Sequence, residues 1–132
     1  MQGTPGCELV PELDRSKLDF VLDKGQDPRV EMYSAFGPPF RSPKVCMSGL
    51  EDRLKAADIT DLFIVGLAWG FCVKYTAIDA AREGFRTYVI EEATKAGDHR
   101  EQARAASRKE MQDAGVHVIG LDSKELDMVR PR

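Results

Sequence analysis

From Ser48 onward, short continuous apolar runs alternate with stretches in which apolar residues recur every three or four positions. The runs are Leu62-Phe63-Ile64-Val65, Thr87-Tyr88-Val89-Ile90 and Val116-His117-Val118-Ile119. Their β-branched and aromatic content, bounded by turn residues, predicts strands. Residues 72–83 put Val73, Thr76, Ala77 and Ala80 on one side and end at Gly84. An Ala-rich stretch running to about Ala114 ends at Gly115 in the same way. Both follow the pattern of a helix closed by a C-terminal glycine. Ser48-x-x-Glu51 and Asp98-x-x-Glu101 have capping-box spacing. The first opens a helix with Leu50, Leu54 and Ala57 on one side, and the second opens the Ala-rich helix. Continuously apolar strands alternating with helices predict an α/β fold with a parallel sheet covered on both faces.

Upstream of Ser48 the pattern is broken. Residues 1–16 hold Gly3, Pro5, Gly6 and Pro11 and read as an irregular lead-in, with a short helical turn around Glu8–Asp14. Leu18–Leu22 is an apolar run stopped by Asp23-Lys24-Gly25, the pattern of a buried strand and a turn. Gly25, Pro28, Gly37, Pro38, Pro39 and Pro43 then forbid long regular elements over 25–45. So long a loop in a small domain is a candidate pocket wall. Four strands with three helices make a thin sheet, and the chain opens in a loop, so strands are expected to be missing on the N-terminal side. The tail 122–132 is charged and expected to be mobile.

The length, 132 residues, is that of one small domain. Nineteen basic against 22 acidic residues give a net charge of −3, with no basic cluster, which disfavours nucleic acid and anionic membranes as partners. No apolar stretch reaches membrane-spanning length, and the first residues lack the features of a secretory signal. Three cysteines, Cys7, Cys46 and Cys72, lie far apart, with no C-x-x-C pair. That spacing is neither a disulfide framework nor a zinc motif, and a reducing, cytoplasmic setting is expected.

Cys72 changes this picture. It sits where the apolar run 62–65 passes through Gly66-Leu67-Ala68-Trp69-Gly70 into the helix of 72–83. Unpaired backbone N–H groups and the helix dipole at such a junction favour an anion, a thiolate included. The same groups suit the oxyanion of a tetrahedral intermediate. A small buried thiol with no chemistry is the ordinary alternative. Gly66 and Gly70 do not make G-x-G-x-x-G, which counts against a nucleotide-binding loop.

The run GLAWGFCVKYTAIDAAREGFRTYVIEEA resembles the nicotinamidase branch of the isochorismatase-like cysteine hydrolases, the fungal members most closely. Three further blocks resemble the same family in the same order. They are Gln2-Gly3-Thr4-Pro5-Gly6-Cys7-Glu8-Leu9, Lys24-Gly25-Gln26-Asp27 and Glu31-Met32-Tyr33-Ser34-Ala35-Phe36. Together they cover the chain to about Ile119. The resemblance implies a single, partial isochorismatase-like domain over 1–132, a three-layer α/β/α fold around a parallel sheet. It implies hydrolysis of nicotinamide to nicotinate and ammonia through a cysteine thioester, in NAD salvage. Position by position, Cys72 is the implied nucleophile and Lys24 the cation beside its thiolate. The backbone N–H groups of Ala68 and Cys72 form the implied oxyanion hole, with a cis Leu67–Ala68 peptide. Tyr33, Phe36, Trp69 and Phe71 are implied walls for the pyridine ring, with ordinary core packing as the alternative for each.

Two features of the family find no match. Its general-base aspartate and its Asp and His metal ligands have no counterpart, because Asp14 and Asp19 lie in other surroundings and His99 and His117 lack partners at ligand spacing. The chain is therefore expected to be the C-terminal part of such an enzyme, with low activity alone. It is expected to bind no metal itself, the zinc or iron belonging to the full-length protein. Gly70 also departs, since relatives often carry an acid there. A catalytically inert interaction module, completing its sheet with another chain or by self-association, is the competing reading. Fast alkylation of Cys72 would argue against it.

Overall fold

The computed structural model describes residues 15–24, 32–38, 47–96 and 100–128. Within them lie helix α1 (Leu50–Ala56), strand β1 (Asp61–Leu67), helix α2 (Lys74–Arg82), strand β2 (Arg86–Lys95), helix α3 (Glu101–Asp113) and strand β3 (His117–Ile119). A π-helical turn, Trp69–Val73, joins β1 to α2, and 3₁₀ turns occupy Arg15–Lys17 and Lys124–Met128.

The three strands form one parallel sheet in the order β1-β2-β3, as the alternation of runs and helices predicts. Ile64, Val89 and Val118 lie side by side across the sheet. They join Val73, Ala77 and Ile78 from the α2 side and Met111 from α3 in one core cluster. The two crossover helices therefore share a face. The other face carries a cross-strand row of rings, with Phe63 stacked on Tyr88 at 4.7 Å and Tyr88 on His117 at 5.2 Å. A second cluster forms at the start of β1, where Phe36, Ala80 and Phe85 pack with Leu50, Leu54 and Leu62.

Gly84 (φ +92°) and Gly115 (φ +94°) close α2 and α3 in the left-handed region that glycine tolerates. The capping box at Ser48 works differently from its pattern. Gly49 is the N-cap, and Glu51 pairs with Lys55 one turn on. Ser48 instead reaches the segment 32–38: its hydroxyl donates to the Ala35 carbonyl and its N–H to that of Phe36 (3.1 Å). Arg100 is the N-cap of α3, and Asp98 lies outside the described residues.

Leu18–Leu22 corrects an expectation. It forms no strand, and Leu18, Phe20 and Val21 are exposed. A continuous apolar run becomes a buried strand only beside a ladder partner, and no described strand runs alongside it. Phe20 instead stacks under the Arg53 guanidinium, 4.7 Å from the ring centre. In the tail, Lys124–Met128 forms a 3₁₀ turn with Leu126 buried, and residues 129–132 lie outside the described residues. The turn expected at Glu8–Asp14 and most of the 25–45 loop lie outside the described residues.

Candidate active site

β1 delivers the chain to the site. After Ile64 its register against β2 shifts: β1 advances only from Ile64 to Gly66 while β2 runs from Val89 to Thr94. Gly66, at φ +112°, takes up the bend with a conformation that side-chain-bearing residues rarely adopt. The Leu67–Ala68 peptide that follows is cis. The chain then enters the π-helical turn, where the Ala68 carbonyl accepts from Phe71 N–H (3.0 Å) and Val73 N–H (3.1 Å). Cys72 lies in this turn, half-buried, immediately before α2.

Lys24 comes from 48 positions earlier in the chain. Its Nζ is 3.3 Å from Cys72 Sγ, 3.1 Å from the Met32 carbonyl and 2.7 Å from the Tyr33 carbonyl. The two carbonyls fix the direction of the ammonium, and the ammonium places a positive charge beside the sulfur.

The four aromatic residues divide. Tyr33 and Phe71 meet beside Cys72 with ring centres 5.4 Å apart. Trp69 and Phe36 are core residues. Trp69, 1% exposed, packs under α3, with its Nε1 donating to the Arg104 carbonyl (3.2 Å) and the Arg104 guanidinium above the ring at 5.0 Å. Phe36 sits against Phe85 in the second cluster, 6.2 Å between ring centres. Both are closed in by packing, so neither offers a free face to a substrate ring. Tyr75 takes a place that the sequence reading did not assign, stacked on Tyr33 at 5.7 Å. Its signal was available, since it follows Phe71 by four positions on a helix and so shares its side.

Gly70 lets α3 come close, because a Cβ there would lie 3.3 Å from Ser107 Oγ. Behind the turn, Glu91 on β2 holds α3 through Arg108 (2.8 and 2.9 Å) and Arg104 (3.4 Å). The hydrogen bonds from Arg108, then its charge and the bond from Arg104, hold the Glu91 carboxyl below its ordinary value against the opposing effect of burial.

Among the described residues no three His, Cys, Asp or Glu side chains converge on a point where a metal ion would be held. His117 is stacked on the sheet, and His99 lies outside the described residues.

A family model for the isochorismatase domain matches residues 1–123. The chain belongs to the isochorismatase domain family. Among curated relatives of this family, the nicotinamidase of Schizosaccharomyces pombe is 37% identical over 130 residues, which cover 98% of this chain and 56% of that protein. Among solved structures, PnC1 from L. infantum in complex with nicotinate superposes with a TM-score of 0.81 at 32% identity, over 90% of this chain and 57% of that one. The pyrazinamidase of Pyrococcus horikoshii in complex with zinc gives a TM-score of 0.71 at 27% identity, over 91% and 60%. The chain thus spans a little over half the length of the relatives it matches. The described residues do not by themselves supply a cage for a zinc ion like the one bound by the Pyrococcus protein. The α/β fold with a parallel sheet is that of the isochorismatase-like family.

Proposed function

We propose that this chain carries the nucleophile of a nicotinamidase-type cysteine hydrolase, which converts nicotinamide and water to nicotinate and ammonia in NAD salvage within a reducing, cytoplasmic compartment. The observation that carries this reading is the 3.3 Å contact between Lys24 Nζ and Cys72 Sγ at a strand-to-helix turn. In this reading the Cys72 thiolate attacks the carboxamide carbon and forms a C–S bond. Backbone N–H groups of Ala68 and Cys72 receive the charge that develops on the carboxamide oxygen. The C–N bond then breaks as a proton from solvent reaches the nitrogen, and ammonia leaves a nicotinoyl thioester. Water attacks the thioester carbon and gives up its two protons to solvent, the C–S bond breaks, and nicotinate departs as the thiolate is restored. Tyr33 and Phe71, with Tyr75 behind Tyr33, would flank the pyridine ring.

The test is ammonia release from nicotinamide by this chain, beside Cys72→Ala. Release that disappears in the variant supports the reading. A chain that releases no ammonia, and whose Cys72 alkylates no faster than a cysteine in an unfolded peptide, overturns it in favour of an inert interaction module.

A further inference from the structure

The ammonium of Lys24 is aimed by two main-chain carbonyls, those of Met32 and Tyr33. They belong to the segment 32–38, which has no strand ladder or helix to hold it. Side chains from elsewhere supply that hold. Ser48 ties the Ala35 and Phe36 carbonyls, and Phe36 is anchored in the second core cluster. The tie on the site side is different: Ala35 N–H donates to Thr76 Oγ1 at 2.8 Å. Thr76 lies on α2, one helical turn beyond Cys72.

One helix thus follows directly from the nucleophile and grips, four residues later, the segment that aims the cation at it. We infer that Thr76 is a positioning residue, whose hydroxyl holds segment 32–38 in register with α2 and so keeps the Lys24 ammonium on Cys72 Sγ. The inference rests on the reading of Lys24 and Cys72 as the reacting pair. Thr76 acts on this pair through Ala35 N–H. A charge beside a sulfur is effective only while its distance is short, and small displacements of positioned groups have large effects on reactivity. Without the Oγ1 acceptor, Ala35 N–H loses its tie to α2, and the segment that carries the Met32 and Tyr33 carbonyls is free to shift.

The experiment follows iodoacetamide alkylation of Cys72 against pH, in the full chain with Cys7 and Cys46 changed to Ser. Thr76→Val keeps the shape and removes the acceptor, whereas Thr76→Ser keeps the acceptor. The expected result for Thr76→Val is about tenfold slower alkylation near neutral pH, with the gap closing at alkaline pH, where the thiol ionises without help. Thr76→Ser should restore most of the rate. Should the valine variant fail to fold, Thr76→Ala carries the same test, since alanine suits a helix better than threonine. A wild-type profile in the acceptor-free variant, or a drop by the same factor at every pH, overturns the inference. Lys24→Met separates the two readings. If it slows alkylation at neutral pH and the loss of Thr76 Oγ1 does not, this inference alone fails. If neither slows it, the Lys24–Cys72 pair fails first.

Discussion

At the scale of single residues, chemically similar side chains have opposite fates two positions apart. Trp69 is closed into the core under α3, while Phe71 stands half-open beside Cys72 with Tyr33 against it. Trp69→Ala should therefore cost about 3–5 kcal/mol, the range for emptying a large aromatic site in a core. Phe71→Ala should cost about 1 kcal/mol, the worth of one ring pair on a partly exposed surface. Urea unfolding midpoints at unchanged slope would check both, and equal losses would contradict the division of roles. Phe71 should matter to ligands instead: nicotinamide should slow alkylation of Cys72 in the parent chain and slow it less in Phe71→Ala. Which aromatic went where was not legible locally, because W-G-F at a turn has no periodicity to say which ring faces inward. The π-helical turn decides it.

At the scale of elements, α3 is held to β2 by Glu91, which takes two bonds from Arg108 and one from Arg104. Its folded carboxyl titrates below the ordinary 4.5, chiefly because Arg108 hydrogen-bonds the charged form. A depressed carboxyl contributes stability that is present above the unfolded value and lost as pH falls through the folded one. Glu91→Gln should therefore be destabilised by about 1 kcal/mol at neutral pH. The difference from the parent chain should shrink as pH falls below the ordinary 4.5 and through the parent's own, lower value. Thermal unfolding of both chains from neutral to acid pH would show it, and a pH-independent difference would contradict it. The elements themselves were largely legible: β1, α2, β2, α3 and β3 follow the alternation of apolar runs and helical periods, with glycines at the stops. Leu18–Leu22 was not, because an apolar run cannot report whether a neighbouring strand is there to pair with it.

At the scale of the whole molecule, β1 has β2 on one side and no other described strand on the other. Val65 is 53% and Leu67 70% exposed. Exposed apolar side chains on a strand with no described neighbour on one side favour recruitment of another chain. Sedimentation velocity should show mass rising with concentration, and Val65→Lys should reduce the rise, since a charge at an edge opposes pairing. A monomer at all concentrations would contradict this.

The sequence by itself determined the α/β class, the parallel sheet and the placing of Cys72 at a strand-to-helix junction. These depend on residues close in the chain, where period and turn chemistry act directly. Resemblance to the isochorismatase-like hydrolases, not periodicity, singled out Lys24, and the tertiary structure brings it within 3.3 Å of Cys72. Only the tertiary structure decided that Phe36 and Trp69 fill the core, that Tyr75 joins Tyr33 and Phe71, and that Ser48 and Thr76 hold segment 32–38. Those pairings join residues far apart in the chain through loops that carry no repeat. Packing and the need to satisfy each buried backbone group select them, and neither condition exists until the elements have come together.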